Sequence, residues 1–257
     1  MHVRSLALIT ELALAETRGL VLDRDDYIVV QTPDDPGYYY GNLLVLPAAP
    51  QVGEVAYWSR RFTDELGDDP EIRHVTFRWD GTTGDTGASS ELLAAGFVLE
   101  VGSVLTARQL AYEPAGSYEA RELRPDEVLA TADLRWTIGD RHDERYRKFL
   151  HRRATWQRDL VTRGLARFWG TFEGDELVGS LGLVTIGELS RYQDVQTAAS
   201  HRGRGIASTL LLAAAAEATG ELVIIAEPGS AAARLYERVG FRAVEQTASA
   251  CKSPATG

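Results

Sequence analysis

The stretch Thr197-Ala-Ala-Ser-His-Arg202-Gly203-Arg204-Gly205-Ile-Ala207 decides the fold, because it joins a predicted strand to a predicted helix through a glycine-rich loop. A helix N-terminus presents unpaired backbone N–H groups that carry partial positive charge. Gly203 and Gly205 allow an anion to approach the backbone closely, and Arg202 and Arg204 add positive charge. The pattern predicts a phosphate-binding loop. The alternative is a tight strand-to-helix turn with two solvated arginines.

The segments around this loop predict a mixed β-sheet packed by helices, an α/β (α+β) fold. Two helices are expected before the sheet, at Pro125–Trp136 and Asp143–Gly164. The elements that follow are strands at Ala166–Phe172, Glu176–Thr185 and Leu189–Thr197, a helix at Ile206–Thr219, a strand at Leu222–Ala226, a helix at Ala231–Val239, and a strand from Phe241. Their order is therefore β-β-β-α-β-α-β.

Two other kinds of phosphate loop fit less well. A Walker loop needs a lysine after its last glycine, and no lysine is present in this stretch. A dinucleotide fingerprint needs glycine or alanine where this chain has Ser208, although Glu227 lies near the position of a ribose-binding acid. Nicotinamide dinucleotide binding therefore remains an alternative.

At this point the sequence resembles the GCN5-related N-acetyltransferase (GNAT) family. The acyl-CoA loop of that family has the form Arg/Gln-x-x-Gly-x-Gly/Ala, which Arg202, Gly205 and Ala207 match. A second family signature, Leu-Tyr-x-x-x-Gly-Phe, is present at residues 235–241. The resemblance covers about residues 117–250 and implies a mixed sheet that binds acetyl-CoA as co-substrate.

The resemblance also implies roles for individual residues. Backbone groups of Val195, Gln196 and Thr197 would bind the pantetheine arm of the cofactor. The pyrophosphate would lie on the amides of Arg202, Gly203, Arg204, Gly205, Ile206, Ala207 and Ser208. Tyr236 is the implied general acid, because a phenol with a pKa near 10 is protonated at neutral pH. The alternative for Tyr236 is a core aromatic residue on an apolar helix face.

The general base is chosen from the acidic and histidine residues near the loop. Asp194 is the first candidate, since it lies on the strand beside the expected cleft. Glu188, Glu227 and His201 are further candidates, and a water chain is another route for the proton. The five histidines show no metal-ligand spacing and Cys251 has no partner, so no metal is expected.

The first half of the chain repeats the order of elements in the second half more faintly. Gly96-Phe97 corresponds to Gly240-Phe241, but Glu54 stands where Gly205 is expected and Leu92 stands where Tyr236 is expected. Two GNAT-like mixed sheets are predicted, a degenerate domain at 1–113 and a catalytic domain at 117–257. The linker is expected at residues 113–116.

The composition excludes several classes of protein. The formal net charge is −10 over 257 residues, and the acidic excess lies before residue 117, which argues against nucleic-acid binding there. The chain lacks a membrane-spanning apolar run and a signal peptide, and its single cysteine fits a reducing cytoplasm. A monomer or homodimer is expected. Five aromatic residues of the first half are candidates for an acceptor pocket or for core packing: Tyr38, Tyr39, Tyr40, Trp58 and Trp79.

The sequence thus predicts an N-acetyltransferase that transfers the acetyl group of acetyl-CoA directly to an amine of a small-molecule or peptide acceptor. A rival prediction is a non-catalytic acyl-CoA-binding regulatory or sensor protein, which needs the loop but not Tyr236.

Overall fold

A computed structural model describes residues 1–113 and 118–254 of the chain. It has a mixed α/β fold, which confirms the predicted fold class. Most of the predicted linker lies outside the described residues. The helices are α1 (Leu6–Glu16), α2 (Val55–Leu66), α3 (Ser89–Ala94), α4 (Ala130–Ile138), α5 (Glu144–Thr162), α6 (Ile206–Ala216) and α7 (Ala231–Val239). The strands are β1 (Leu20–Asp23), β2 (Ile28–Gln31), β3 (Leu43–Leu46), β4 (Val75–Trp79), β5 (Val98–Ala107), β6 (Arg121–Glu122), β7 (Ala166–Glu173), β8 (Glu176–Ile186), β9 (Leu189–Thr197), β10 (Glu221–Ala226) and β11 (Arg242–Lys252).

The chain divides into two compact units whose limits differ from the predicted domains. The first unit contains Met1–Val104, Ala226–Pro228 and the chain from Ala243 onward, and the second contains Leu105–Ile225 and Gly229–Arg242. The C-terminal strand joins the first unit because β11 pairs antiparallel with β4, from Ser249 opposite Arg78 onward. The functional domains at 1–113 and 117–257 remain a prediction.

The sheet of the first unit has the strand order β1-β2-β3-β4-β11-β5. Its first three strands are antiparallel neighbours, whereas β3 and β4 are parallel and are connected by α2. One apolar core lies against α2 and α3 and includes Phe62, Phe77, Trp79 and Leu92. A smaller apolar cluster lies against α1 around Leu8.

The sheet of the second unit has the order β10-β9-β8-β7-β6. Strands β6 to β9 form antiparallel pairs, and β9 and β10 are parallel strands connected by α6. The hairpin between β7 and β8 turns at Gly174, which has a positive φ of 60°. The loop at residues 198–205 directly follows β9 and leads into α6.

The helices of the second unit form where apolar residues repeat at helical spacing. Along α7, Ala233, Tyr236 and Val239 are buried at intervals of three residues. Helix α5 buries Leu150, Ala154, Gln157 and Leu160, and its N-cap Asp143 accepts a hydrogen bond from the Tyr146 amide at 2.8 Å.

Three predicted elements have other limits in the structure. The helix expected at Pro125–Trp136 is a 3-10 turn at Pro125–Leu129 followed by α4. Helix α6 ends at Ala216, before the predicted Thr219. The sequence of Tyr38–Leu46 also predicts a strand, but the strand begins only at Leu43, because residues Tyr39–Gly41 form a 3-10 turn. Among the described residues, no helix has the length and apolar character needed to cross a membrane.

Candidate functional site

The site begins where two parallel strands of the second unit stop pairing. Strands β9 and β10 are paired at Leu189–Glu221, Ser190–Leu222 and Arg191–Val223. Both strands continue beyond these pairs, β9 to Thr197 and β10 to Ala226. Within the described residues, no pairing joins the last six residues of β9 to β10. The backbone of β9 from Tyr192 onward therefore has one edge open for a ligand to hydrogen-bond.

A β-bulge lies in this open part of β9. Gln193 is opposite Gly182 and Gln196 is opposite Ser180, so Asp194 and Val195 share the single partner position at Leu181. Asp194 has a φ of 48°, in the left-handed region that non-glycine residues seldom adopt. A bulge bends its strand and redirects side chains, and this one lies beyond Arg191, the last residue of β9 that pairs with β10.

The loop after β9 leaves backbone donors unpaired. Gly203 and Gly205 have φ values of 76° and 84°, which other residues adopt only with strain. Gly205 is the N-cap of α6 and supplies no side-chain cap. Within the described residues, the backbone N–H groups from Gly203 to Ser208 have no protein acceptor. Such a group of donors at a helix N-terminus fits a phosphate.

The two arginines of the loop differ in their contacts. The Arg204 side chain donates to the Tyr118 hydroxyl at 3.3 Å and lies 3.9 Å from the Glu173 carboxylate. Arg202 is exposed, and its side chain makes no hydrogen bond or ion pair with any described residue. Arg202 is therefore the more available cation for an anionic ligand.

His201 is part of the loop at residues 198–205, and its side chain is buried. Its Nε2 lies 3.0 Å from the Glu173 carboxylate, and its Nδ1 lies 2.8 Å from the Ser200 hydroxyl. Because both ring nitrogens are engaged, His201 is placed to hold the loop rather than to take a proton from a substrate.

Tyr236 lies on the buried face of α7, 6% exposed, beside the ring of Phe241 at a centroid distance of 6.1 Å. Burial raises its pKa to about 12, and the positive charge of Arg191 opposes part of that rise. In the described part of the chain the Tyr236 hydroxyl has no hydrogen-bond partner, so the proton remains available to a ligand. The residue is both a core aromatic and a potential proton donor.

Asp194 is held by two residues of α5. Arg153 donates Nε to Oδ2 at 2.9 Å and Nη2 to Oδ1 at 3.1 Å, and the Gln157 amide also donates to Oδ2. Burial raises the pKa of this carboxyl, but the charge and hydrogen bonds of Arg153 outweigh burial, so the net pKa is below the ordinary value. Asp194 is therefore ionised at neutral pH and is a weak base.

The remaining candidates for the base lie elsewhere. Glu188 precedes the first residue of β9, and a strand of that length separates it from the loop by roughly 26 Å. Glu227 belongs to the residues that cluster with the first unit. Among the described residues, no group of three or more His, Cys, Asp or Glu side chains forms a potential metal site.

The aromatic residues of the first unit are engaged in packing. Trp58 and Trp79 are in its core, and the Trp79 indole donates to the Asp85 carbonyl at 2.8 Å. Tyr39 stacks on His74 at 4.3 Å, Tyr38 lies under Arg18, and the Tyr40 hydroxyl donates to Glu100. These contacts favour the core-packing alternative over an acceptor pocket.

Comparison with known families assigns the second unit. Residues 164–243 match the family model of the acetyltransferase (GNAT) domain. These residues of the second unit are therefore similar to a GNAT domain, which is called the GNAT domain below. The matched segment contains both motifs, and it contains the open end of β9, the loop, α6 and α7 of the GNAT domain. The search of curated proteins found no match.

Solved structures share the fold of the whole chain. A functionally unknown conserved protein from Staphylococcus epidermidis is similar with a TM-score of 0.75 at 10% identity, covering 92% of this chain and 94% of that one. A GCN5-related N-acetyltransferase from Kribbella flavida has a TM-score of 0.64 at 13% identity, covering 100% and 98%. A tandem GNAT protein from the clavulanic acid biosynthesis pathway has a TM-score of 0.50 at 15% identity, covering 83% and 74%.

Sequence reasoning missed four residues around the GNAT loop and β9. Arg153 and Gln157 hold Asp194, and Glu173 and Tyr118 hold Arg204 and His201. A polar Gln157 on the apolar face of α5 was the one signal in the sequence, because a buried amide needs a partner.

Proposed function

We propose that the GNAT domain transfers the acetyl group of acetyl-CoA directly to an amine of a small-molecule acceptor. The observation that carries this proposal is the run of unpaired amides from Gly203 to Ser208 at the end of a strand with one open edge. The match of residues 164–243 to the GNAT acetyltransferase domain, together with the fold shared with a GCN5-related N-acetyltransferase, supports acyl transfer. The single cysteine supports a reducing cytoplasm as its compartment.

Acetyl-CoA would be held at two places along this chain, the loop before α6 and the open edge of β9. Its pyrophosphate fits the amides of the loop, with Arg202 as the first side-chain cation. Its pantetheine amides fit the open backbone edge of Val195, Gln196 and Thr197. An anionic ligand here is consistent with the absence of a side-chain carboxylate capping α6.

The chemical step requires the amine nitrogen to form a bond to the acetyl carbonyl carbon while the carbon–sulfur bond breaks. The nitrogen loses one proton and the departing thiolate gains one, so the products are an amide and free CoA thiol. Tyr236 is the proposed donor to sulfur, because its pKa of about 12 keeps the phenol protonated at working pH. Asp194 is the proposed acceptor on the amine side, acting directly or through water, and its ionised state lets it hold a cationic amine before reaction.

The direct test combines binding and turnover. Acetyl-CoA is titrated by calorimetry, and free thiol release is measured across a panel of small amines. Replacement of Tyr236 by Phe is expected to lower kcat by about 100-fold or more, the usual contribution of a general acid. Its acetyl-CoA affinity should change less than about twofold, since the phenol is used only as the thiolate leaves.

A second tyrosine provides the matched control. Tyr192 is also buried against Phe241, but its hydroxyl donates to the Leu211 carbonyl at 2.9 Å. Tyr192→Phe should lower stability without lowering kcat. Equal kcat values for Tyr236→Phe and the wild type would remove Tyr236 from the mechanism. Acetyl-CoA binding without thiol release from any amine would instead favour the sensor protein.

The pH dependence gives a further check on Tyr236. A raised pKa keeps the phenol protonated through the neutral and mildly alkaline range, so loss of kcat from its ionisation is expected only above roughly pH 11. An alkaline limb with a midpoint near pH 9 in the kcat profile would contradict its assignment as the acid.

A further inference from the structure

Helix α5 carries a strong positive charge in a chain that is acidic overall. It contains six lysines and arginines and two acidic residues among its 19 residues, whereas the whole chain has a formal net charge of −10. Arg145, Lys148 and Arg152 follow one another at intervals of three and four residues, so they share one side of the helix, which we call the α5 face. The α5 face lies opposite Leu150 and Ala154, which are buried.

The positive charge of α5 is largely uncompensated within the chain. Arg145 and Lys148 are exposed, and the Arg145 side chain makes no ion pair or hydrogen bond with any described residue. Lys148 lies 3.9 Å from the Glu144 carboxylate, which is itself exposed. Farther along the helix, Arg158 is likewise without an ion pair to a described residue, and Asp159 is the only other acid of the helix. The exposed side of α5 therefore presents cations that have few counter-ions.

The opposite charge is concentrated on one surface of the first unit. Two segments form this surface, residues 23–26 at the turn between β1 and β2, and residues 64–71 at the end of α2. Together they contain eight acidic residues and one basic residue, Arg24. Arg24 holds the two segments together, because its Nη2 donates to the Glu65 carboxylate at 2.9 Å and its Nε donates to the same group at 3.1 Å. We call this surface the acidic patch.

The acidic patch also lacks counter-ions. Asp25, Asp26, Asp68 and Glu71 are exposed, and their side chains make no ion pair with any described residue. Like charges that are held close together repel one another, and an approaching cationic surface relieves this repulsion. Each copy of the chain thus carries a positive surface and a negative surface, both of them exposed to solvent.

We propose that the α5 face binds the acidic patch of a second copy of this chain. Complementary charge attracts these two surfaces, whereas two α5 faces or two acidic patches would repel each other. The contact is therefore heterologous, which means that two different surfaces meet rather than the same surface twice. The inference is independent of the proposed acetyl transfer, because neither surface contains a residue assigned to acetyl-CoA or to the chemical step.

The first test follows self-association of the full chain as a function of salt. Ion pairs between exposed side chains are weak and are screened by salt, so the contact should form only at low ionic strength. Sedimentation velocity at about 200 µM protein is compared at ionic strengths of about 20 mM and about 500 mM. The wild type should sediment as dimers or larger species at low ionic strength and as a monomer at high ionic strength. A monomer under both conditions would overturn the proposal.

Two variants each remove the charge of one surface. Arg145→Glu/Lys148→Glu neutralises α5, and Asp26→Lys/Asp68→Lys/Glu71→Lys neutralises most of the acidic patch. All five side chains are exposed, so the melting temperatures should stay within about 2 °C of the wild type. Each variant alone should sediment as a monomer at low ionic strength. Association of either variant as strong as that of the wild type would place the contact elsewhere and overturn the proposal.

A mixture of the two variants separates pairing of these surfaces from a general effect of charge. The patch variant keeps an intact α5, and the α5 variant keeps an intact acidic patch. An equimolar mixture should therefore associate at low ionic strength, although neither component does so alone. A mixture that sediments as two monomers would overturn the proposal.

A matched control adds positive charge to another exposed surface. Asp175→Lys/Glu176→Lys/Glu237→Lys makes the same change in net charge as the patch variant, at exposed positions of the second unit. This control should associate as the wild type does. Loss of its association would mean that net charge, rather than the two surfaces, governs self-association, and would overturn the proposal. Failure of the acetyl transfer is recognised separately by thiol release, which none of these measurements uses.

Discussion

Helices α2 and α6 each follow a strand through a loop of the same length, but their N-termini differ in hydrogen bonding. Strands β3 and β9 end at Leu46 and Thr197, and helices α2 and α6 begin at Val55 and Ile206, so each pair is 151 positions apart. The corresponding N-cap residues are Glu54 and Gly205. Among the described residues, the amides from Gly203 to Ser208 at α6 have no acceptor, whereas two amides of the α2 loop are occupied by carboxylates. The Gln51 amide donates to the Glu54 carboxylate at 2.9 Å, and the Gly53 amide donates to Glu91 at 2.6 Å.

The strands before the two loops also differ, in how far each remains paired with its parallel neighbour. In the first unit, β3 and β4 remain paired to their last residues, Leu46 opposite Trp79, and the Asp80 amide adds one more bond to Leu46. In the second unit, β9 leaves β10 after Arg191. The end of β9 thus combines a run of unpaired amides with an open strand edge. In the first unit two loop amides are occupied by carboxylates and β3 stays paired to its end, which supports its proposed degenerate role.

The C-termini of α3 and α7 can be compared in the same way, and this comparison includes Tyr236, the proposed general acid. The Phe97 amide donates to the Leu92 carbonyl and the Phe241 amide donates to the Tyr236 carbonyl, both at 3.0 Å. Leu92 and Tyr236 thus hold equivalent places in their helices. The backbone bond is retained in both units, and only one of the two side chains can donate a proton.

The largest expected effect comes from giving α6 the N-cap residue of α2. Gly205→Glu adds a carboxylate among the amides proposed to bind phosphate, and we expect acetyl-CoA affinity to fall by about 100-fold or more. Gly205→Ala is the control for strain, since both variants need a side chain at a φ of 84°. Calorimetry should show a loss of about tenfold or less for alanine. Equal losses in the two variants would mean that charge is unimportant here.

A smaller effect should separate the two arginines of the loop. Arg202→Ala should weaken acetyl-CoA binding by about tenfold, because no described residue forms a hydrogen bond or ion pair with the Arg202 guanidinium. Arg204→Ala should weaken it by about threefold or less, because Arg204 is bound to Tyr118 near Glu173. Arg141→Ala, which removes an arginine paired with Asp143, is the charge control. A larger effect at Arg204 than at Arg202 would reverse their assigned roles.

The smallest effect is expected from removing both carboxylates at α2. Glu54→Ala/Glu91→Ala should lower the melting temperature by about 2–4 °C through loss of the two amide contacts. The stoichiometry should remain one acetyl-CoA per chain, because β3 and β4 stay paired. Glu16→Ala/Glu71→Ala removes the same charge from exposed positions and should leave the melting temperature unchanged. A second acetyl-CoA bound to the Glu54→Ala/Glu91→Ala variant would show that the carboxylates alone had blocked the first unit.

Sequence patterns located the strands and helices of the second unit closely. Strand β9 and helix α7 have the predicted limits, because their periodicity and flanking glycines are unambiguous. Helix α1 was not predicted, since its run from Leu6 to Glu16 is nearly apolar throughout and carries no clear helical period. Its entry is held by distant partners, with the Ser5 amide bound to Asp80 and the Leu6 amide bound to Glu245.

The sequence by itself determined the order of elements, the glycine-rich loop and the candidate acid Tyr236, because each depends on residues close together in the chain. The tertiary structure alone decided that β11 pairs with β4, that β9 leaves β10 after Arg191, and that Arg153 holds Asp194. It also decided that Ser180 and Gln196 lie opposite each other, each with a buried side-chain oxygen to which no described residue donates. Strand register and side-chain pairing depend on residues far apart in the chain, and local periodicity carries no information about them.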